Sequence, residues 1–387
     1  MQENQPSYKN ELSPETFVFT LVFFGLFTLF AVRMGTANTL NTIMNTAYRL
    51  LVDTVLYIMA VCVIMGAVSA LLTEFGFVAL VHRLLQYLMK PLYDLPGAAA
   101  LGVVTTFLSD NPAILTLADD SGFRKYFRKY QFPALTNLGT SFGMGMIVCI
   151  YMYSLSPVMG TSLGKAVLAG FLGAVAGSIV STRVMLIFTK KRYGTEEMMP
   201  YGEIEIPEGK RPVRSGNAAN RAMSALLEGG HSGVRMGLSI IPGVLVICTL
   251  VMMLTNGPSA DGTYTGAAFE GIRLLPLLAE KADFILRPLF GFSSPEAVGV
   301  PVTALGAAGA SLGVAANLAA AGLIGPGDIA VFTAMCMCWS GYLSTHASMM
   351  DSLDCRELIG RAILSHTLGG LAAGAAAHWL YVLMSLL

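Results

Sequence analysis

Along this chain the hydrophobic positions run in long blocks with no polar face. The windows Phe17–Val32, Phe132–Gly164, Ala166–Thr182, Met236–Ala260, Ala297–Gly327 and Ala362–Leu387 contain no Asp, Glu, Lys or Arg. A helix needs about 20 apolar residues to cross a hydrocarbon core, so the pattern predicts membrane helices over 16–34, 52–73, 133–156, 161–188, 233–255, 328–350 and 358–387. Gly35–Leu51, rich in Asn and Thr, reads as a polar amphipathic connection, with Asp53 near the start of the helix that follows. Phe77–Met89 is apolar but holds His82, Arg83 and Gln86, the mixture of a short helix lying at an interface. Leu95–Ala118 is apolar except for Ser109-Asp110-Asn111-Pro112. Proline donates no N–H and disfavours α at Asn111, so the segment is read as a re-entrant hairpin or broken helix. Such backbone is tolerated at membrane depth only when it is buried in protein or lines a wet cavity.

The pattern repeats. Lys90-Pro91-Leu92-Tyr93 returns as Arg287-Pro288-Leu289-Phe290, an offset of 288 − 91 = 197. At that offset Ala100, Gly102, Val103, Thr106 and Leu108 fall on Ala297, Gly299, Val300, Thr303 and Leu305. The reading is a duplicated unit: a full helix, an interfacial helix (second copy Phe269–Phe290), a hairpin (second copy Ala297–Ile324) and a further helix. Duplicated units with interrupted hydrophobic segments point to a transporter with its site between the copies near the bilayer midplane. The expected division is 1–46, an N-terminal helix and connection; 47–157, the first unit; 158–188, a helix; 189–221, a basic linker; 222–350, the second unit; and 351–387, a last helix. Lys190, Lys191, Arg192, Lys210, Arg211, Arg214 and Arg221 mark the linker as cytoplasmic, whereas Asn256–Ala267 has no basic residue and suits an outer loop.

Composition agrees with a polytopic membrane protein. Of 387 residues, 54% are hydrophobic and 12% charged, against about 25% charged in soluble domains, and mean hydropathy is +0.63. The expected place is the inner (plasma) membrane. A net charge of zero gives no argument for a nucleic-acid partner. The first apolar segment has no basic leader and no small-residue cleavage site, so it reads as a retained helix. The six cysteines lie mostly in apolar segments and are expected as buried thiols.

From Lys90-Pro91-Leu92 to Ala118, and again from Arg287-Pro288-Leu289 to Asn317, the chain resembles the gate, or "nucleoside recognition", domain. That domain occurs in concentrative nucleoside transporters, in the membrane part of B-type ferrous-iron transporters and in paired spore-maturation membrane proteins. The resemblance covers about 47–155 and 222–350. It implies an all-α polytopic fold of two pseudo-repeated gate units and transport through two facing gates. There is no G-x-x-x-x-G-K-[ST] run of the iron-transporter kind, and the nucleoside transporters' acidic hairpin motifs are absent, so no single cargo is implied.

The chemistry is expected at a few polar positions. A carboxylate inside a membrane segment costs about 2.5–3.5 kcal/mol and calls for a cation, proton or donor, which singles out Asp110 with Ser109 and Asn111; helix capping is the plain alternative. Asn137, Thr140 and Ser141 share a helix face and serve either the cavity or helix packing. Ser340, Ser344, Thr345, His346 and Ser348 are the polar positions of the second copy. His346 could relay protons or lie hydrogen-bonded at a helix end by the interface, and Asp351 and Asp354, with Arg356, read as a solvated helix end. Thr303, Ser311 and Asn317 are the polar side chains expected at the second hairpin. No HExxH is present, and no GxSxG or GxGxxG lies between a strand and a helix as the enzyme signatures require. The function expected is secondary transport of a small polar solute, nucleoside-like or a small organic solute, with no cofactor, coupled to Na⁺ or H⁺, in a homo-oligomer or beside a paired membrane partner. A metal-ion permease using Cys336, Cys338, His346 and Asp110, and a non-transporting, partner-dependent membrane protein, are the alternatives.

Overall fold

A computed structural model describes residues 10–110, 113–114, 118, 121–200, 213–259 and 261–386. Among them every regular element is helical, and six helical stretches are long and apolar enough to cross a membrane. Helix α1 (Pro14–Met34) starts at a Ser13 capping box with Thr16. The expected connection after it is instead a helix, α2 (Thr36–Arg49), which runs through a π-helical turn (Leu50–Val55) into α3 (Leu56–Glu74). Two of its polar residues satisfy the 256–272 loop: Asn38 and Asn45 each donate at 2.8 Å, to Tyr264 O and Gly266 O.

α4 (Phe77–Leu88) leaves Leu80, Leu84 and Tyr87 exposed, as an interfacial helix would. α5 (Ala99–Leu108) ends at Ser109, where the backbone leaves the helical region at φ −132°, ψ −107°. The helix expected over 133–156 is broken into α6 (Ala134–Thr140) and α7 (Gly145–Ser154) by a turn in which Met144 is left-handed, φ 54°. α8 (Gly164–Tyr193) precedes the linker. α9 (Ala218–Ser239) begins earlier than expected, capped by Asn217, and passes through a second π-helical turn (Gly243–Cys248) to α10 (Thr249–Thr255). Then come α11 (Leu274–Lys281), α12 (Asp283–Phe290), α13 (Gly299–Gly306) and α14 (Ala308–Ala320), the last two separated by extended Ala307. The helix expected over 328–350 is broken like its counterpart, into α15 (Pro326–Cys338) and α16 (Tyr342–Ser352), and α17 (Ile359–Leu386) ends the fold.

The duplication is written in the backbone. Left-handed residues stand at Gly76 and Arg273, at Asp94 and Gly291, and at Met144 and Gly341. Each pair is separated by 197 (273 − 76, 291 − 94, 341 − 144), the offset read from side chains. The correspondence continues into α8 and α17, since 164 + 197 = 361 lies in the first turn of α17. A side-chain clasp recurs too. Gln131 Oε1 accepts from Arg128 N at 3.0 Å, and its Nε2 donates to Asp94 O at 2.7 Å. At 131 + 197 = 328, Asp328 accepts from Gly325 N at 2.8 Å and from Ser293 N at 3.0 Å. In both copies, then, the chain leaves the helix-break segment beside the point where it came in.

Ion pairs sort the ends of the bundle. At one end Lys190 meets Asp94 (2.7 Å), Lys129 meets Glu197 (2.9 Å), Arg214 and Arg221 meet Glu74 (2.7 and 2.8 Å), and Arg192 meets Glu357 (3.4 Å). The opposite end holds the 256–272 loop and the Arg273–Glu296 pair. Between Gly76 and Arg273 the chain runs three times from end to end, through Ala134–Met159, Gly164–Tyr193 and Ala218–Thr255. Three is odd, so the two units run in opposite senses through the bundle.

Glycine sets the closest approaches. Gly229, Gly233 and Gly237 of α9 lie against Gly66, Cys62–Val63 and Met59 of α3, while Gly173 and Gly177 of α8 lie against Ala373, Ala377 and Gly369 of α17. Association without a hydrophobic gradient depends on such backbone proximity. A Cβ on Gly173 would sit 2.6 Å from Ala377 Cβ and 2.7 Å from Ala373 O, so both helices would have to part.

Two outcomes follow. Asp328→Ala removes the acceptor of two part-buried N–H groups, of Ser293 and Gly325, and should cost about 0.5–1.5 kcal/mol for each bond, seen as a lower unfolding temperature in detergent, with Gln131→Ala showing the same defect in the first unit. In the 256–272 loop, burial pushes the Glu270 carboxyl up, but bonds from Ser259, Thr265 and Gly266 outweigh it and hold the group below the usual carboxylate range. A depressed carboxyl contributes stability above its unfolded value of about 4.3 and loses it as pH falls through the folded value. Hydrogen exchange of 256–272 should therefore accelerate only at pH below about 4, and Glu270→Gln should remove that dependence.

Candidate functional site

The break after α5 opens onto a cavity. Leu108 O, left over at the helix end, accepts a 2.7 Å bond from Ser69 Oγ of α3, and Ser109 Oγ donates back to Thr105 O at 2.6 Å. Around this point Cys62, Ser69, Thr73, Ser109, Ser232 and Met236 line a cavity of about 250 Å³, between α3, α9 and the break, with Ile147 of α7 on one side. Asp110, half-buried, is within electrostatic range of Cys62. Arg214 also lines the cavity at the linker end, where Glu74 and Glu228 hold its guanidinium at 2.7 and 2.5 Å. Ser109 thus lines the cavity and Asp110 follows it in the break, whereas Asn111 lies outside the described residues. Ser69, Ser232 and Arg214 escaped the sequence reading because nothing local separates them from ordinary packing serines and linker cations.

The other expected polar residues of the first unit sit elsewhere, in a buried junction where the breaks α6–α7 and α15–α16 meet α8 and α17. Asn137 Nδ2 donates to Ser181 Oγ and to Ala362 O, both at 3.0 Å. Ser181 Oγ donates to His366 Nδ1 at 2.8 Å, and His366 Nε2 donates to Cys338 O, the last carbonyl of α15. The His346 ring lies 4.5 Å from that of His366, and its Nδ1 donates to Tyr342 O at 2.9 Å. All four side chains, Asn137, Ser181, His346 and His366, are fully buried inside the bundle. Ser340 is buried at the same break, while the side chains of Ser344 and Thr345 lie outside the described residues. Thr140 and Ser141 bond back to Thr136 O and Asn137 O at 2.8 Å, which is local backbone satisfaction. His366 and Ser181 were legible in principle as polar residues in the midst of apolar helices, but two helices distant in sequence give no sign that they meet.

The polar side chains around the α13–α14 break bond locally. Thr303 donates to Gly299 O at 2.7 Å, Ser311 to Ala308 O at 2.6 Å and to Cys336 Sγ at 3.0 Å, and Asn317 to Gly313 O at 3.2 Å. Cys338 turns instead to Ala174 O, 3.7 Å away, so the two thiols do not converge. Among the described residues no three His, Cys, Asp or Glu side chains come together as metal ligands would. Asp351 pairs with Arg356 at 2.7 Å on an exposed helix end.

No family model and no curated protein matches the chain. Solved structures of CNTnw, a concentrative nucleoside transporter, do. A variant of it in an outward-facing state matches over 95% of this chain and 85% of that one, with 13% identity and a TM-score of 0.52. A second outward-facing variant matches over 95% and 85% at 14% identity and a TM-score of 0.50. The inward-facing, substrate-bound state matches over 96% and 84% at 12% identity and a TM-score of 0.50. At such identities the likeness establishes the fold alone: this chain has a fold like that of concentrative nucleoside transporters.

Proposed function

We propose that the chain is a secondary transporter of a small polar solute, whose two inverted units give alternating access to the cavity beside Ser109 and Asp110. One observation carries this reading: a helix break at the cavity lies within one of two units running in opposite senses, the plan on which alternating access is built. The solved relative of like fold occurs in outward-facing and in inward-facing substrate-bound states, which supports the same use of this fold here. The segments after Asp94 and Gly291 are re-entrant gate hairpins in this reading, each clasped at its base. The linker end, with Lys90, Lys125, Lys129 and Arg192, is cytoplasmic by the bias of positive charge, and the protein resides in the inner (plasma) membrane. The gates form the units 47–157 and 222–350 around a cytoplasmic linker.

A cavity of about 250 Å³ is smaller than the roughly 300–1,000 Å³ typical of drug-sized sites. Hydroxyls of Ser69, Thr73, Ser109 and Ser232 offer donors and acceptors to a nucleobase-like or small organic solute. Asp110 takes the cationic or hydrogen-bond-donating part of the cargo or its coupling ion, Na⁺ or H⁺. The metal permease has no support in the placement of Cys336 and Cys338.

A thermal-shift screen of wild type and Asp110→Asn, with nucleosides, nucleobases, small organic acids and divalent metals, with and without Na⁺, tests this. A cargo at a hundredfold excess over its Kd adds about 2.7 kcal/mol to the stability of wild type, and the variant should lose most of that gain. A well-folded wild type that no solute stabilises would defeat the transport reading and favour the partner-dependent one.

A further inference from the structure

The junction of the two helix breaks holds two imidazoles whose hydrogen bonds leave one acceptor over. In His366 both nitrogens are used, Nε2–H toward Cys338 O and Nδ1 as acceptor from Ser181, which fixes the neutral ring. In His346, Nδ1–H is used on Tyr342 O, so Nε2 presents a bare lone pair. That nitrogen is fully buried and has no hydrogen-bond partner among the described residues, and the same holds for Asn137 Oδ1. Two lone pairs without a donor, in the middle of the bundle, call for a proton or for a molecule that brings one. The C-terminal end of α15 is aimed here through Cys338 O, and the carbonyl end of a helix favours a cation.

We propose that His346, whose ring lies against that of His366, is a proton-binding site, and that its occupation hydrates the two helix breaks and makes the proton the coupling ion. The inference deepens the transport reading and rests on it for the word coupling, though not for the proton site itself. Binding is a plain protonation: Nε2 of His346 takes H⁺ from water and the pair becomes a single cation. An imidazolium cannot remain in an apolar, unsolvated junction. Its formation therefore requires Ser181 or Asn137 to reorient or water to reach the turns at 141–144 and 339–341. The breaks are where that can happen, since their backbone is already outside the helical ladder.

The surrounding charges are few. α17 brings His366 to His346, and the α16 helix itself brings Tyr342, whose ring is 5.8 Å away. α6 (ALTNLGT) and α13 (GVPVTALG), both packed on α16, hold no ionisable residue. Cys336 and Cys338 belong to α15, and Asp351 with Arg356 and Glu357 forms the exposed far end of α16. His346 and His366 are thus the two basic side chains at the centre of the junction among the described residues, with the Tyr342 hydroxyl and the Cys338 thiol as its ionisable neighbours.

Hydrogen exchange of the purified full chain in detergent, read by mass spectrometry, tests this without any cargo. Labelling times are scaled for the intrinsic effect of pH. On going from about pH 8 to about pH 5.5, peptides covering 139–146 and 338–346 of wild type should exchange about ten-fold faster. In His346→Gln that acceleration should be absent, while peptides of α1 and α8 keep the same protection in both proteins. Unchanged protection in wild type would overturn the proposal, and needs no variant to fold. An acceleration that persists in His346→Gln would overturn it as well, by moving the proton to another group. Because no solute is present, either result stands apart from the cargo screen. A pH-sensitive junction in a protein that binds no solute would keep the proton site and discard transport.

Discussion

Everything in this fold answers to one requirement: a backbone N–H or C=O in an apolar medium must find a partner. Continuous helices meet it internally, and the chain breaks that continuity at four comparable places, after α5, after α13, between α6 and α7, and between α15 and α16. Each break frees carbonyls that would cost several kcal/mol if left bare. Ser69 takes Leu108 O, Ser141 takes Asn137 O and His366 takes Cys338 O. Polar side chains in the bundle are thus placed first by the breaks, and the chemistry available to the protein is whatever those side chains have left over.

The two units meet the requirement unequally. In the first, the hairpin break faces a cavity lined by hydroxyls and carries the carboxylate of Asp110. In the second, the corresponding break at Ala307 packs against Gly243, with Ile247 and Ile240 against the flanking glycines, and its hydroxyls are spent on their own helices or on Cys336. The helix that ends at Glu74 in the first unit stops at Thr255 in the second, and a loop organised by Glu270 stands in for its last turns. An inverted duplication therefore supplies the symmetry of the scaffold, and substitutions within it concentrate the solvent-accessible polarity in one copy. Glycine at α3–α9 and α8–α17 lets this scaffold close with backbones in contact. A single added methyl there forces two long helices apart.

Several polar stretches misled a local reading for a common reason. Asn38 and Asn45 read as a solvated connection because a polar side chain has the same composition whether it meets water or the carbonyls of a distant loop. The turns at 141–144 and 339–341 were hidden because no proline marks them. Their glycines and their bulky αL residue Met144 are tolerated in helices of any membrane protein, and the fold, through Phe107 against Gly145 and the carbonyl acceptors around His366, decides to break there. The end of α5 at Ser109, by contrast, was legible from the proline three residues on in the sequence, because proline carries its own steric argument.

By itself the sequence determined the class, most of the long apolar helices, the polar linker and the 197-residue repeat, because hydrophobic length and side-chain identity act locally or at a constant offset. It also marked Ser109 and Asp110, through the cost of a charge in an apolar run. What only the tertiary structure decided is which polar groups share a place. Asn137, Ser181 and His366 come from three helices spread over more than half of the chain, and Arg214 reaches the cavity from the linker. Their meeting depends on three crossings between the repeats, an odd number that turns one unit over against the other. No local pattern encodes that, because the opposed packing exists only once the helices are in place.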